Sequence, residues 1–486
     1  MSVTNLYPNQ FPNQEQEPPQ FPPAPTPIPQ SEPLSSDLGY ADAFIARHRH
    51  RIRYITTEKI WLIFDDSSGW QRDDSGLAIR ALAGDFAREL YEAALLRCPD
   101  DPTSAHLRQT ANLGNASRLK PMLAFAQCHA ALRLASNSLD PDPLLVGVEN
   151  GSLDLSTGNF LPHRPEHLIT RHLAVSYDPP ATAPVFEQFL SEVQPDPSVR
   201  GFLQRWAGYC LSGSLREHVL PFHFGTGSNG KSIFLEHVLL RLLGSYGAKM
   251  SDSLIYRDAR GSQPYLEIAG LCTRRFALGE ENTAGSRLNE NFLKSASGGD
   301  RQKGRFSYGD FLEYQPSAKL ALVGNHRPCV QGRDHGFWRR FLLVDWPVRI
   351  PNERQDVHLP EKLQAELPGI LNWCLVGARD WLAHGLNPPS ACLGATEGFR
   401  QESDQLTGFL KLFEPAPGDH LLKQDVFALY RAWATDEGIP APRQMSQRNL
   451  SFRLTEHGWP SGFTGRQRRH IWCDRQLIDP HMLADA

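Results

Sequence analysis

The chain has few of the features that mark a metal-binding, disulfide-bonded or membrane-spanning protein. Its eight cysteines stand singly, with no Cys-x-x-Cys pair and no histidine cluster at zinc-finger spacing, which favours reduced thiols. No window reaches about 18 uninterrupted apolar residues, and the N-terminus is rich in proline and glutamine rather than basic and then apolar. We therefore expect a cytoplasmic protein without membrane contact.

A strong excess of charge is also missing. The formal net charge is −4 over 486 residues, so the composition gives no general attraction to nucleic acid or to an acidic membrane. Any contact with nucleic acid has to come from local basic patches. The basic run RHRHRIR, residues 47–53, is interpreted as a solvated helix face rather than as such a patch. The hydrophobic fraction of 40% is that of an ordinary globular protein with buried cores.

Composition and periodicity divide the chain into four segments. Residues 1–36 carry roughly ten prolines and predict a disordered tail. Residues 37–193 are predicted to be mostly helical, with short strands and a tight turn at LLVGVENGSLDL. In residues 194–385 strands alternate with helices, which predicts a parallel sheet flanked by helices. Residues 400–486 combine helical runs, a basic turn and a short strand, which predicts a helix-rich unit closed by a hairpin.

The segment GTGSNGKS, residues 225–232, carries the strongest chemical signal. It fits the pattern G-x-x-x-x-G-K-[S/T] and lies between a predicted strand, VLPFHF, and a predicted helix, IFLEHVLLRLLG. In such a loop the backbone N–H groups surround phosphates, the lysine neutralises their oxygens and the final hydroxyl ligates Mg²⁺. The sequence therefore predicts ATP and Mg²⁺ as cofactors. The predicted binding residues are Gly225, Thr226, Gly227, Ser228, Asn229, Gly230, Lys231 and Ser232.

Further candidates follow or precede predicted strands. Glu280 ends the strand of RRFALGE, where an acid could hold Mg²⁺ or activate water, whereas the neighbouring Glu281 has no assigned role. Asn325 ends AKLALVGN and could orient the attacking water or sense a γ-phosphate. Arg339 and Arg340 precede the strand FLLVDW, and an arginine there could reach a γ-phosphate, in ring ATPases that of the neighbouring subunit.

Two further segments are rich in basic residues, and the first of them also contains aromatic residues. In KGRFSYGDFLEY, a turn at Gly309-Asp310 predicts a hairpin on which Lys303, Arg305 and Tyr308 contact single-stranded nucleic acid through its phosphates and bases. An ordinary surface hairpin with its aromatic side chains packed inward is the alternative. The C-terminal TGRQRRH forms a second basic segment, and its candidates for DNA contact are Arg466, Arg468 and Arg469.

Taken in order, these motifs resemble the superfamily 3 helicases of the phage and plasmid primase-helicase group, whose relatives include the poxvirus primase-helicase. The resemblance rests on GTGSNGKS, ALGEEN, LNENFLKSASGGD, LALVGNHRP and FWRRFLLVDWPVRIP, and on VENGSLDLSTGNFLPH ahead of them. It covers about residues 37–385. The segment from QDVFALYRAWATDEG to RRHIWCDRQL is similar to the winged-helix module that often follows in that group.

The resemblance implies a multidomain protein with an α/β P-loop ATPase core of the AAA+-like superfamily 3 type in residues 194–385. A mostly helical N-terminal domain at 37–193 and a C-terminal winged-helix module at 400–486 would flank it. It makes Glu280 the matching acid, Asn325 the sensor asparagine and either Arg339 or Arg340 the arginine finger. Lys303 and Arg305 would face DNA.

The activity implied by the resemblance is ATP-dependent DNA unwinding in the 3′ to 5′ direction by a homo-oligomeric ring, a hexamer. The expected setting is the replication of a phage, prophage or plasmid in the cytoplasm of a bacterial host. Large members of the group carry a primase domain ahead of the helical region, where this sequence has only the short tail. We therefore expect no primer synthesis from this chain, and whether a separate primase partners it stays open.

Three other functions fit parts of the same pattern. A replication initiator would bind origin DNA and use ATP only to assemble, and would show sequence-specific affinity without unwinding. A DNA-sensing ATPase would assemble on nucleic acid without unwinding it. A metabolic P-loop kinase has no use for the hairpin or for the C-terminal basic segment, so the sequence favours it least.

Overall fold

A computed structural model of the chain gives the structure of most of its residues, and contacts divide it into two compact units. The first unit ends at Ala395 and the second begins at Thr396. The predicted tail, residues 1–36, lies outside the described residues except for Ser36. The structure describes residues 36–97, 104–257, 264–280, 287–306, 311–328, 330, 335–403, 406–439, 441, 444–465 and 468–479.

The N-terminal part of the first unit combines helices with a four-stranded sheet. Its elements are α1 (Asp37–His48), β1 (Ile52–Ile55), β2 (Ile60–Asp65), β3 (Gly69–Asp73), α2 (Leu77–Arg97), α3 (Ala105–Leu113), α4 (Ala116–Cys128) and β4 (Arg133–Leu134). The strand order is β3-β2-β1-β4, with β4 parallel to β1 and the other pairs antiparallel. Helix α1 begins at the Ser36 hydroxyl, which accepts a hydrogen bond from the Gly39 N–H at 3.0 Å.

This sheet corrects the prediction of a mostly helical segment. The sequences IRYI and IWLIFD are short, β-branched and aromatic, and such residues suit strands that are half buried. The helical periodicity of the longer α2 and α4 dominated the pattern of residues 37–193 and hid these strands. The segment is therefore mixed α/β.

The basic run at residues 47–53 is not a solvated helix face, which is a second correction. Helix α1 ends at His48, and the run continues into β1. Arg53 is buried, and its guanidinium donates hydrogen bonds to the backbone oxygens of Arg49 and Ile52. Burial lowers the pKa of Arg53 to about 10. The last residue of the run, Arg53, is therefore buried and stabilises the backbone around it by hydrogen bonds.

Residues 145–193 pack against the central sheet of the first unit rather than forming part of a separate domain. They contain β5 (Leu145–Val148), β6 (Gly151–Asp154), β7 (Phe160–Leu161) and α5 (Pro184–Val193). The strands are antiparallel, and β5 turns directly into β6, which confirms the predicted strands and tight turn. Val146, Leu153 and Phe186 lie in one hydrophobic core with Phe234 of the helix that follows the 225–232 loop. The predicted boundary at 193/194 thus falls inside a single core.

The central sheet has five parallel strands, which confirms the predicted alternation of strands and helices. They are β8 (Leu220–Phe224), β9 (Gly247–Lys249), β10 (Phe276–Glu280), β13 (Lys319–Gly324) and β14 (Phe341–Asp345), in the order β14-β8-β13-β10-β9. Every neighbouring pair is parallel. Except for the edge strand β9, the strands are buried along almost their whole length, as expected of a parallel sheet covered on both faces. The carboxyl ends of all five strands consequently meet at one edge.

Helices cover this sheet, and the chain between β10 and β13 forms a hairpin. The helices are α6 (Pro197–Leu211), a π-helical segment (Ile233–Leu240) continued by α7 (Arg241–Leu243), α8 (Asp252–Ile255), α9 (Pro264–Gly270), α10 (Glu290–Ser297), α11 (His335–Trp338), α12 (Leu359–Ala365) and α13 (Leu367–His384). The hairpin pairs β11 (Gln302–Arg305) with β12 (Phe311–Tyr314) in antiparallel fashion. Asp196 caps α6 by accepting from the Ser198 N–H at 2.8 Å.

The second unit has a three-stranded antiparallel sheet and two main helices. Helix α14 (Ser390–Glu402) contains the division between the units, and it is followed by α15 (Thr407–Leu410), β15 (Phe413–Leu422), α16 (Lys423–Asp436), α17 (Gln447–Glu456), β16 (Ser461–Thr464) and β17 (Arg469–Leu477). The sheet order is β15-β17-β16. The predicted helical runs and closing hairpin are confirmed. Strand β15 was not predicted, because its sequence FEPAPGDHLL is interrupted by prolines and a glycine, where the pairing is irregular.

None of the helices in the described ranges has the length and hydrophobicity that a bilayer crossing needs.

Candidate functional site

The loop at residues 225–232 joins the carboxyl end of β8 to the helix that continues at Ile233. Gly227 and Gly230 have positive φ angles of 104° and 78°. A Cβ atom on Gly225 would lie 1.8 Å from the Asn229 side-chain nitrogen, and one on Gly230 would lie 2.9 Å from the Phe189 ring. Only glycine fits at these positions, since the backbone curls tightly and rests directly on its neighbours. The glycines of the predicted pattern therefore serve the loop geometry.

Lys231 and Asn325 meet at the edge of the sheet although 94 positions separate them. Strands β8 and β13 are neighbours, and Phe224 pairs with Gly324, so the loop and Asn325 follow adjacent strand ends. The Lys231 ammonium donates to the Asn325 side-chain oxygen at 2.6 Å and to the Gly225 carbonyl at 2.8 Å. Lys231 is only 5% exposed. The structure thus brings together the two groups predicted to face the terminal phosphates.

Glu280 ends β10, the strand on the other side of β13, and forms an ion pair that the sequence did not reveal. Its carboxylate lies 2.6 Å from the ammonium of Lys249, the last residue of β9. The same ammonium lies 2.8 Å from the carboxylate of Glu236 on the helical segment that follows the 225–232 loop. The two carboxylates raise the pKa of Lys249. The sequence analysis did not identify Lys249 as part of the site. Its position at the carboxyl end of a short strand is the feature that could have indicated it. Glu281 lies outside the described residues.

A neutral histidine lies beneath the loop. His223 of β8 is fully buried, and its Nδ1 accepts a hydrogen bond from the Trp346 indole N–H at 3.1 Å. Burial, and secondly the charge of Lys231, lower the pKa of His223 to about 3. The imidazole is therefore uncharged near neutral pH, so it does not add a second positive charge beside the Lys231 ammonium.

The two candidate arginines differ in their surroundings. Arg339 is exposed at the end of the short helix α11. Arg340 is buried, and its guanidinium donates to the Gly336 carbonyl of its own chain. A Cβ atom on Gly298 would lie 2.8 Å from an Arg340 nitrogen, so Arg340 also packs against the end of α10. Arg339 is consequently the one of the pair that is placed to meet another molecule.

The β11–β12 hairpin presents the predicted basic groups on its surface, beside an exposed ring that was not among the predicted contacts. Lys303 and Arg305 are exposed, with their charged groups 5.2 Å and 5.5 Å from the ring centre of Phe311, which is 53% exposed. The Phe311 ring meets the equally exposed Tyr265 ring of α9 edge to face, with 5.7 Å between their centres. Phe306 and Tyr314 pack inward against Cys272 and Leu312, as in the alternative of an ordinary surface hairpin, whereas the Phe311 ring does not. Tyr308 and the predicted turn lie outside the described residues.

The second unit carries its basic candidates at the turn of the β16–β17 hairpin. Arg468 has a positive φ of 46°, and its guanidinium lies 5.3 Å from the ring centre of Phe463. Arg469 begins β17 and is exposed. Phe463 is also 57% exposed. The turn therefore combines two positive charges with an exposed ring, while Arg466 lies outside the described residues.

The residues at the sheet edge fit a nucleotide polyphosphate and a magnesium ion. The curled loop would hold phosphates on its N–H groups, and Lys231 supplies a positive charge. The Ser232 hydroxyl and the Glu280 carboxylate are the oxygen groups that Mg²⁺ accepts beside phosphate oxygens. In the ranges that the structure covers, no group of three or more His, Cys, Asp or Glu side chains is gathered as a metal site.

Comparison with known proteins relates the chain to viral proteins. Residues 41–195 match the family described as D5 N terminal like. A protein of Acanthamoeba polyphaga mimivirus named "Putative helicase" is 26% identical over 310 residues, which cover 59% of this chain and 32% of that protein. A "Putative helicase" of Frog virus 3 (isolate Goorha) is 25% identical over 309 residues, or 58% of this chain and 32% of the relative. A "Putative primase" of African swine fever virus is 25% identical over 259 residues, or 51% and 27%.

The chain spans about a third of the length of these curated relatives. Among solved structures, the apo A form of the NrS-1 C terminal region aligns with a TM-score of 0.44 and 11% identity, over 85% of this chain and 83% of that one. The match to the D5 N terminal like family begins within α1, includes the four-stranded sheet and ends just after α5.

Proposed function

The chain is related to the primase-helicase-like family that its motifs resemble, and on that premise we propose that it is an ATP- and Mg²⁺-dependent DNA helicase acting in replication. The observation that carries the proposal is the contact of Lys231 with Asn325 at the carboxyl edge of a parallel sheet, beside Glu280. The relatives named as helicases and primases support a replicative role. From the resemblance of its motifs to the phage and plasmid group, we propose a role in a phage, prophage or plasmid that replicates in bacterial cytoplasm.

The proposed chemistry follows from what these groups can do. The loop binds the phosphates of ATP, and Lys231 neutralises charge on the terminal phosphates. Ser232 and Glu280 would hold Mg²⁺, which neutralises phosphate charge when it is bound. Asn325 orients the attacking water by a hydrogen bond, and Glu280 can also accept its proton. This is an α/β P-loop ATPase core of the AAA+-like superfamily 3 type.

Replacing Lys231 with alanine is expected to lower kcat for ATP hydrolysis by about 10²–10³-fold, as loss of one preorganised charged donor does. The variant loses the ammonium that contacts Asn325 and the Gly225 carbonyl, so the loop also loses an internal support. Phosphate release at saturating ATP measures the effect. Lys120→Ala, an exposed lysine on α4, is the control and should hydrolyse ATP like the native chain. Equal rates in both variants would contradict the assignment.

DNA would contact the β11–β12 hairpin of the first unit through Lys303, Arg305 and the aromatic rings beside them. Exposed cations that flank exposed rings suit single strands, because the cations bind phosphates and the rings stack on bases. In the second unit, the hairpin with Arg466, Arg468 and Arg469 would serve as the wing of a winged-helix module on duplex DNA. We further propose a hexameric ring that moves 3′ to 5′.

The double variant Lys303→Ala/Arg305→Ala is expected to bind a single-stranded oligonucleotide with a weaker salt dependence. Each lost phosphate contact reduces the slope of log affinity against log salt by roughly 0.7, hence by roughly 1.4 for the pair. Fluorescence anisotropy at several salt concentrations gives the slope. The control Arg108→Ala/Lys120→Ala removes the same charge from exposed positions of α3 and α4 and should keep the native slope. A slope that falls equally in both would place the contact elsewhere.

Strand displacement on a forked DNA with a single-stranded 3′ tail tests the function as a whole. The native chain should separate the fork only with ATP and Mg²⁺, and the Lys231→Ala variant should not. Hydrolysis that DNA stimulates without displacement would favour an initiator or a DNA-sensing ATPase. Hydrolysis that DNA does not change would contradict the helicase proposal.

A further inference from the structure

The β11–β12 hairpin and helix α9 are fixed to each other by close contacts. A Cβ atom on Gly304 of β11 would lie 2.6 Å from the Ala269 nitrogen, so this strand rests directly on the backbone of α9. The Tyr314 hydroxyl of β12 donates a hydrogen bond to the Ile268 carbonyl of α9. Because closely packed elements transmit strain, a displacement of the hairpin carries α9 with it.

Helix α8 is fixed in a similar way to the strand end that carries Glu280. A Cβ atom on Gly279 would overlap the Ile255 side chain, so α8 rests on the backbone of β10. The Tyr256 hydroxyl donates a hydrogen bond to the Glu280 carbonyl at 3.1 Å. The Glu280 side chain pairs with Lys249, which lies three positions before the start of α8. The backbone and the side chain of Glu280 are thus both held by residues in or next to α8.

A carboxylate of α9 joins these two groups of elements. Glu267 accepts hydrogen bonds from the hydroxyls of Ser251 and Ser253, which lie at the start of α8. The two hydroxyl oxygens are 2.6 Å apart. The Ser251 hydroxyl does not cap α8, although Ser251 precedes the helix directly. Its contact with Glu267 therefore connects α8 to α9 instead of ending a helix.

We propose that Glu267 is a positioning residue that transmits the state of the hairpin to Glu280, so that DNA bound to the hairpin raises the rate of ATP hydrolysis. The inference rests on the proposed function, since it connects the proposed nucleotide site with the proposed DNA contact. The route runs from the hairpin to α9, from α9 through Glu267 to α8, and from α8 to the end of β10. Each step is a packed or hydrogen-bonded contact between neighbouring elements.

The rate of ATP hydrolysis with a saturating single-stranded oligonucleotide, divided by the rate without it, measures this transmission in the full chain. Glu267→Ala should lower the ratio towards one, by about 2–30-fold, the range found for single residues of a coupling network. Hydrolysis without DNA and oligonucleotide affinity, measured by fluorescence anisotropy, should keep their native values. Glu92→Ala is the matched control, because it removes the same charge from an exposed position of α2 and should keep the native ratio.

The double variant Ser251→Ala/Ser253→Ala breaks the same contact from its other side. It should lower the ratio as much as Glu267→Ala does. Combining all three changes should lower the ratio no further, because residues that act through one contact are not additive. A native ratio in Glu267→Ala, or additive losses in the triple variant, would overturn the inference and leave the helicase proposal standing.

A loss of hydrolysis without DNA in Glu267→Ala would make the serine double variant decisive. If that double variant keeps its hydrolysis without DNA and loses the stimulation, the inference stands. A parallel loss of both rates in both variants would overturn it, because the contact would then support the nucleotide site itself. A native chain whose hydrolysis DNA does not change would instead refute the proposed function.

Discussion

Replacing Arg339 with alanine is expected to lower ATP hydrolysis by the assembled protein by about 10³–10⁵-fold, the contribution of an arginine that reaches a transferring phosphate from a neighbouring subunit. The expectation follows from its exposure at the end of α11, in contrast to the adjacent Arg340. In the proposed ring, each nucleotide would lie between the loop of one subunit and Arg339 of the next. The variant should therefore bind ATP normally and fail in hydrolysis.

Mixing two inactive variants tests whether Arg339 acts across subunits. An Arg339→Ala subunit keeps its own phosphate loop, and a Lys231→Ala subunit keeps its own Arg339. Rings containing both should regain part of the hydrolysis that neither variant shows alone, measured as phosphate release against mixing ratio. No recovery, in mixtures that gel filtration shows to be mixed oligomers, would contradict a role across subunits.

Arg340→Ala serves as the control for this position, and a different effect is expected. The Arg340 guanidinium is buried and donates to the Gly336 carbonyl. Its loss should lower the free energy of unfolding by about 1–3 kcal/mol, because a part-buried hydrogen bond from a charged donor is removed. Chemical denaturation measures this change. If Arg340→Ala is instead stable but inactive in ATP hydrolysis, and mixing it with Lys231→Ala restores hydrolysis, Arg340 rather than Arg339 would be the arginine that reaches the neighbouring nucleotide.

The positions of the 225–232 loop, Glu280 and Asn325 could be predicted because each follows or ends a strand of the central sheet. Apolar strand patterns located the ends of β8, β10 and β13, and parallel strands place their carboxyl ends together. The contact of Lys231 with Asn325 follows from the adjacency of β8 and β13. The predicted order of strands and helices was therefore enough to place these polar groups at one edge.

Other parts of the site depend on contacts that no local pattern contains. Lys249 ends a strand of three residues and looks like an ordinary surface lysine until the fold brings Glu280 and Glu236 to it. Tyr265 lies 46 positions before Phe311 and meets it because α9 packs beside β11. The burial of Arg340 next to an exposed Arg339 depends on the turn between α11 and β14. Tertiary packing decides all three.

Glu280→Gln is expected to lower ATP hydrolysis by about 10²–10⁴-fold, the contribution of a positioned general base, while ADP affinity stays near the native value. Glutamine keeps the size of the side chain but cannot accept a proton at the same pH. The change also removes one of two carboxylates from Lys249, so a loss of activity could come from that ion pair instead of from the catalytic role.

Glu236→Gln separates these two explanations. Glu236 contacts the same Lys249 ammonium at 2.8 Å, and its carboxylate belongs to the phosphate-loop helix rather than to a strand end. If the ion pair controls hydrolysis, both variants should lose activity to a similar degree. If Glu280 acts on the water or holds Mg²⁺, Glu280→Gln should be almost inactive and Glu236→Gln close to native in phosphate release. We expect the second result, because Glu280 alone of the two ends a strand of the sheet edge where Lys231 and Asn325 meet.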